Sequence, residues 1–227
     1  MDGSSLAGAW QRLKWTLKYH LGRPGHVPDF ETLLSRPHRA ILLERLDGFG
    51  PWRSLLEVGC GRGVNLLLLA KRKPDATLAG IDTSVAAIRA ARAELAKRGI
   101  WQVDLKAGTA TKLVGCADKS VDVVLADAVL MYIPPEDIVV VLSEMLRVVR
   151  MGVVAGVWNM DMPPPGDPWR YDEGTWVYDY RRIIAESLGF NVNVEPYPVG
   201  AWDDVRWKRY GAILRIDADS VVEVEQP

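Results

Sequence analysis

The sequence predicts an α/β protein, a doubly wound sheet of about seven strands, mostly parallel, with a helical cap at its N-terminus. Three observations lead there. From Ser54 onward short apolar runs alternate with helical patterns, the run from Met151 to Trp158 is nearly all apolar, and Gly59-Cys60-Gly61-Arg62-Gly63 joins the first run to the first helix. Strands alternating with crossover helices imply a parallel sheet, and an all-apolar run suits a central strand covered on both faces. Alternating glycines at a strand-to-helix turn permit backbone conformations, and a close ligand approach, that a Cβ would block.

The 227 residues carry a formal charge of −1, with 48% hydrophobic and 25% charged residues. That suits one domain with a small cap and argues against a polyanion-binding surface, so no nucleic acid partner is expected. Cys60 and Cys116 have no metal-ligand spacing. Neither a metal site nor a disulfide framework is expected, and a reducing cytoplasm fits. No opening segment has the form of a signal peptide, and no apolar run approaches the ~20 residues of a spanning helix.

Leu6, Trp10, Leu13 and Leu17 recur at helical spacing, with Arg12, Lys14 and Lys18 elsewhere on the wheel. Such a basic amphipathic helix packs on the domain, closes as a lid over a substrate, or meets a membrane surface. Residues 22–28 read as a hinge. Asp29 caps a helical pattern over 30–46, interrupted near Pro37 and ended by Asp47-Gly48-Phe49-Gly50-Pro51. Strands are expected at 54–58, 77–82, 102–107, 120–125 and 151–158, with helices at 64–73, 84–98 and 136–150 between them. The proline-rich stretch 160–171 reads as an irregular functional loop. A helix over 175–188 and strands at 190–195 and 210–216 follow, with 202–207 in their connection. Residues 1–50 thus form a helical segment or lid, 51–217 the main domain and 218–227 a C-terminal tail.

Open parallel sheets bind ligands beyond the carboxyl ends of their strands, where strand order reverses. Glu57, Asp82, Thr109, Asp127 and Asn159 each lie at or just after such an end, which gathers them into one crevice. The glycine spacing narrows the ligand. The dinucleotide fingerprint is Gly-x-Gly-x-x-Gly; here the third glycine comes one residue early and Val64 stands in its place. Glu57, two residues before the first glycine, suits a cationic ligand better than a diphosphate. Asp82 lies 23 residues beyond Gly59, near the ~20 expected of an acid that accepts from ribose hydroxyls. It could equally cap the next helix.

Glu57-Val58-Gly59-Cys60-Gly61-Arg62-Gly63, Asp82 and the run from Val121 through Asp127 to Ile133 together resemble the class I S-adenosylmethionine-dependent methyltransferases of small-molecule type. The resemblance runs over about 54–159 and is continued by the helix and strands ending near 216. It implies a Rossmann-like sheet with an antiparallel last strand, S-adenosylmethionine as methyl donor, S-adenosylhomocysteine as product, and a small-molecule acceptor. It places Gly59, Cys60, Gly61 and Gly63 against the methionyl part of the cofactor, Glu57 beside its ammonium group, Asp82 on the ribose and Thr83 beside the adenine. The family often has an acid near the end of the third strand; this chain has Gly108-Thr109-Ala110, so backbone groups of Thr109 and Ala110, or the Thr109 hydroxyl, would serve the adenine.

Methyl transfer asks for in-line alignment and, where the acceptor requires it, removal of a proton. Asp127, which also borders the cofactor, Tyr132 and Asn159 are the candidate catalytic residues. Asp127 or Tyr132 would act as base, unless Tyr132 simply packs and Asp127 bonds the backbone. His20, His26 and His38 precede the core and read as surface or packing residues unless a lid carries one over the substrate. Trp158, Trp169, Tyr171, Trp176 and Tyr178 could wall an aromatic pocket. The fourth-strand loop lacks the Asp/Asn-Pro-Pro-Tyr/Phe pattern used for nucleobase and glutamine amino groups, which favours a small molecule. Two other readings are a nicotinamide-dependent oxidoreductase, against which the loop spacing and Glu57 argue, and a non-catalytic interaction protein built on a cofactor fold, supported by the missing acid at Thr109.

Overall fold

A computed structural model describes residues 29–160 and 165–222. The helix expected at 6–20, the hinge at 22–28, and His20 and His26 lie outside the described residues.

Helix α1 (Phe30–Leu34) starts at Asp29, whose side chain accepts from the Thr32 N–H, and α2 (His38–Asp47) follows directly after Pro37. The repeating part comprises β1 (Ser54–Val58), α3 (Val64–Arg72), β2 (Thr77–Asp82), α4 (Val85–Ala96), β3 (Asp104–Ala107), β4 (Val121–Asp127), α5 (Pro135–Val148) and β5 (Val149–Trp158). Beyond it come β6 (Trp169–Asp172), β7 (Thr175–Tyr178), α6 (Tyr180–Leu188), β8 (Asn193–Pro196), α7 (Val205–Tyr210) and β9 (Gly211–Asp217). The main sheet runs β3-β2-β1-β4-β5-β9-β8. Strands β1 to β5 are mutually parallel, and β9 is antiparallel to both its neighbours. The doubly wound sheet with an antiparallel last strand is therefore present as expected.

Two-residue periodicity sorts the core. Leu55, Val123 and Leu125 face the layer formed with α2, α3 and α4, while Leu56, Val58, Val124 and Ala126 face the layer of α5 and α6. A slip of one residue would exchange the two faces, so the pattern also fixes register. Strand order reverses between β1 and β4, which opens the crevice at the carboxyl ends of these two strands.

The structure corrects the region after β5. The expected helix from 175 begins only at Tyr180, and its first residues instead pair with the stretch read as irregular, Trp169 opposite Tyr178 and Asp172 opposite Thr175. Glu173 and Gly174, both at positive φ (43° and 93°), form the two-residue turn that suits the twist of a hairpin. Trp169, Trp176 and Tyr171 pack against one another on it. Strand β5 also begins two residues earlier than expected, at Val149, directly after α5.

Candidate functional site

The glycine turn is stitched to β2 rather than free. The N–H groups of Gly59 and Cys60 both donate to the Ile81 carbonyl, at 2.8 and 3.0 Å. Gly59, Gly61 and Gly63 have φ of 73°, 52° and 75°, the left-handed region that other residues avoid, and a Cβ on Gly59 would collide with Val129. Asp82, at the end of β2, completes the cradle. Its Oδ2 accepts from the Gly61 N–H (2.9 Å) and its Oδ1 from the Ser84 N–H (2.8 Å), while the Ser84 hydroxyl caps α4. Burial raises the Asp82 pKa against these two bonds. Asp82 therefore shapes the turn and leads into the helix, and each oxygen keeps lone-pair capacity for hydroxyl donors.

Between β1 and β4 lies a buried polar group organised by Asn65 in the first turn of α3. Asn65 Nδ2 donates to Glu57 Oε1 (2.7 Å) and to Asp127 Oδ2 (3.0 Å), and its Oδ1 accepts from Arg39 Nη1 (2.6 Å). Arg39 Nη1 also meets Asp127 Oδ2 at 2.7 Å, and His38 Nε2 lies 3.4 Å from the same oxygen. Helix α2 thus reaches the crevice from 88 and 89 residues away in sequence. The two carboxyl groups respond oppositely. Burial pushes the Glu57 pKa up to about 8, with the Asn65 bond opposing it. Burial acts in the same sense on Asp127, but Arg39 and then His38 overcome it and hold that carboxyl well below its ordinary range. His38 is wholly buried, and desolvation lowers its pKa against the pull of Asp127.

The remaining candidates lie around this centre. Thr83 and Thr109 are exposed, and the Thr109 hydroxyl pairs with Thr111 Oγ1 at 2.9 Å. Ala110 packs on the core edge, and Cys60 is buried, its thiol pKa raised by desolvation. Tyr132 sits half-buried in the 3-10 turn Leu130–Tyr132, its phenol pKa raised by burial against the nearby Arg206. Asn159 is buried, and its Oδ1 accepts from the Tyr180 N–H at 3.3 Å, tying β5 to the start of α6. Glu57, Gly59, Gly61, Asp82 and Asp127 are brought together as expected; Thr109 turns toward its own loop. Sequence reasoning missed Arg39 and Asn65. Asn65 follows Gly63 by two residues and could have been read from the loop, whereas nothing in the helical pattern of α2 marks Arg39.

Next to Asp127 the carboxyl ends of β4 and β5 carry a cluster of rings. His38 stacks on Trp202 (centroids 3.6 Å apart), Trp202 stacks on Trp207 (3.9 Å), and Trp207 meets the edge of Trp158 (5.9 Å). The Tyr197 hydroxyl and Asp127 Oδ1 lie 2.5 and 3.3 Å from where a Cβ on Gly156 would stand, so only glycine leaves room for them there. Of the aromatic residues expected to wall a pocket, Trp158 joins this cluster; Trp169, Tyr171 and Trp176 lie on the hairpin, and the Tyr178 hydroxyl bonds the Ile133 carbonyl.

A doubly wound sheet with a glycine turn after β1, an acid at the end of β2 and a carboxylate at the end of β1 has the architecture of the α/β nucleotide-binding folds. Residues 55–152 match the family model for the methyltransferase domain. The trans-aconitate 2-methyltransferase of Azoarcus sp. (strain BH72) is 30% identical over 154 residues, which cover 66% of this chain and 53% of that protein. In structure the chain is similar to the 1,6-didemethyltoxoflavin-N1-methyltransferase of Burkholderia thailandensis (TM-score 0.66, 18% identity, 96% of this chain and 91% of that one). It is equally similar to the cyclase SpnF (TM-score 0.66, 18% identity, 96% and 97%). The family match gives residues 55–152 as a methyltransferase domain, and the fold is that of the class I S-adenosylmethionine-dependent methyltransferases. The chain spans about half the length of the curated relatives it matches, and the cyclase illustrates that fold alone does not decide the reaction. No helix among the described residues is long and apolar enough to cross a membrane.

Proposed function

We propose that the protein transfers the methyl group of S-adenosylmethionine to an oxygen, nitrogen or carbon of a small-molecule acceptor. One observation carries this reading: Glu57 Oε2 and Asp127 Oδ1, buried beside the glycine turn, have no hydrogen-bond partner. Asn65 holds the other oxygen of each. Buried carboxyl oxygens without donors fit a cationic ligand, and the methionyl ammonium of the cofactor is such a group. Glu57 would take that ammonium, Asp82 the ribose hydroxyls, and the turn of Gly59, Gly61 and Gly63 would admit the chain between them. The sulfonium supplies an already electrophilic methyl, so the work left to the protein is alignment and exclusion of water. Asp127, pinned by Arg39, serves as a fixed anion that orients these groups; its low pKa makes it a weak proton acceptor. Asn159 supports the site from the core.

A small acceptor agrees with the names of the Azoarcus and Burkholderia relatives and with a formal charge of −1, which offers a polyanion little attraction. Two free cysteines, Cys60 buried and Cys116 half-buried, support a reducing cytoplasmic setting. Calorimetric titration with S-adenosylhomocysteine tests the core of the proposal. Binding to the wild type and its loss by about 100-fold in Asp82→Ala are expected, in line with charge-assisted bonds to two hydroxyls. A wild type that does not bind would refute the proposal.

A further inference from the structure

We propose that His38 is the general base of the methyl transfer, oriented by Asp127, and that the acceptor presents to His38 Nδ1 a weakly acidic hydroxyl, that of a phenol or enol. The inference rests on the methyl-donor reading above and names a catalytic residue and an acceptor class for the same crevice.

His38 opens α2 and is wholly buried. Its Nε2 lies 3.4 Å from Asp127 Oδ2. Asp127 is held ionised and a carboxylate only accepts, so the facing nitrogen carries the ring proton and Nδ1 keeps a bare lone pair. That lone pair has no hydrogen-bond partner among the described residues. The ring is clamped as well: one face stacks on Trp202, 3.6 Å away and within 14° of parallel, and Tyr197 meets it edge-on. A buried, oriented acceptor without a donor fits a ligand that brings one.

Asp127 ties His38 to the cofactor cradle. Asn65 bridges Asp127 Oδ2 and Glu57 Oε1, at 3.0 and 2.7 Å, and Glu57 takes the methionyl ammonium in the reading above. The ammonium and the sulfonium methyl are a few bonds apart, so the Asp127–His38 pair borders the space into which the methyl group emerges. The other groups there serve less well as bases. Against burial, Arg39 holds the Asp127 carboxyl well below its ordinary range, and burial holds the Tyr132 and Tyr197 phenols protonated. Burial also lowers the His38 pKa against the pull of Asp127, and the charges of Arg39 and Arg36 lower it further. The N-terminal end of α2 acts in the same sense, and Tyr197 is the other titratable group against the ring. His38 is therefore neutral near pH 7, with its lone pair ready for a proton.

The unfilled atoms also discriminate between acceptors. His38 Nδ1 and Asp127 Oδ1 both lack a donor, and a carboxylate oxygen would set a further lone pair against them. A hydroxyl supplies the donor. As its oxygen bonds to the methyl carbon, its proton passes to Nδ1, and the carbon–sulfur bond breaks with the electron pair going to sulfur. The positive charge lost from the sulfonium thus appears on the imidazole beside the Asp127 carboxylate, until His38 returns the proton to water. A base of lowered basicity is matched best by an acidic hydroxyl, that of a phenol or enol with a pKa of about 10, rather than by an alkyl alcohol.

The first test needs no acceptor. The full chain, labelled with nitrogen-15 in its three histidines and saturated with S-adenosylhomocysteine, is followed by NMR, with His20→Gln and His26→Gln assigning the His38 signals by elimination. At pH 7 the His38 ring should be neutral, its proton on Nε2 and Nδ1 bare. Asp127→Asn should move that proton toward Nδ1, because an amide can donate where the carboxylate only accepted. A proton on Nδ1 or a charged ring in the wild type, or a ring indifferent to Asp127→Asn, overturns the inference. The second test follows label from methyl-tritiated S-adenosylmethionine at pH 8 into phenol, and into 4-nitrophenol, which is largely ionised there and needs no base. His38→Gln should lower kcat/KM for phenol about 100-fold or more, the scale of a lost general base, and for 4-nitrophenol at least tenfold less. Equal losses on the two, no loss on phenol, or no transfer to either by the wild type overturns the inference; failure of S-adenosylhomocysteine itself to bind strikes the underlying reading instead.

Discussion

Asp82 and Asp127 stand at the carboxyl ends of β2 and β4, on either side of the glycine turn, yet they are held by different kinds of partner. Asp82 accepts from the backbone of Gly61 and Ser84, both within 21 residues of it. Asp127 accepts from three side chains, two of them on α2 and one on α3. The β2 side is therefore formed by its own β-α-β unit. The β4 side is complete only when α2 has docked, so the side that carries Asp127 depends on long-range packing while the side that carries Asp82 does not.

Removing the link between these halves should have the largest effect. Arg39→Ala leaves Asp127 buried without its principal cation, and loss of one partner from a buried ion pair costs about 3 to 5 kcal/mol. Denaturant unfolding of the ligand-free protein measures it. Arg39→Ala combined with Asp127→Asn should recover much of the loss, because the uncompensated charge is gone. A cost below about 1 kcal/mol, the range of exposed pairs, would show that α2 does not anchor the β4 side.

A smaller effect sharpens the contrast within the cradle. At pH 7 the Glu57 carboxyl, with its pKa pushed to about 8 by burial, is mostly protonated. A bound ammonium group favours the charged form, so binding of S-adenosylhomocysteine should expel up to one proton. Titrations in phosphate and Tris buffers would show this as a difference in apparent enthalpy. In Glu57→Gln that difference should vanish and affinity fall about tenfold, as for one charged hydrogen bond. A buffer-independent wild type would mean that the ammonium lies elsewhere.

The same division explains what could be read from the sequence. The Glu57-to-Gly63 turn, Asp82 and the strand order follow from local signals: periodicity, glycine spacing and an acid at a set interval. The hairpin from Trp169 to Tyr178 was hidden because its turn, Glu173-Gly174, lies inside a stretch whose apolar spacing also suits a helix, and pairing rather than propensity decided it. Arg39, His38, Tyr197 and Trp202 carry no local mark. Their partners lie across the fold, Asp127 88 residues from Arg39, and only the docked helix and the β8–α7 connection bring them to one place. Asp127 itself was found, but its chemistry was not, since Arg39 turns a candidate base into a fixed anion.

The smallest expected effect lies in the pH dependence of ligand-free stability, where the two neighbouring carboxyl groups should be distinguishable. Glu57 has a folded pKa raised from 4.5 to about 8, so between those values the folded state holds a proton that the unfolded state has lost. Stability must fall as pH rises through that window, by at most about 1.4 kcal/mol per pH unit. Asp127 has a folded pKa below its ordinary 3.8; its contribution is fully present above that value and lost only on acidification. His38, lowered from 6.5 by burial, acts oppositely to Glu57 but only below 6.5, where the unfolded imidazole binds the proton first. Asp82, whose pKa is raised from 3.8, shares the sign of Glu57 at the acidic end. The interval from about 6.5 to 8 therefore isolates Glu57 within the site. Over that interval the unfolding free energy of the wild type, less that of Glu57→Gln, should decline with pH. A flat difference would place the Glu57 carboxylate in contact with water, and the two carboxyl groups that share Asn65 would then be alike in charge.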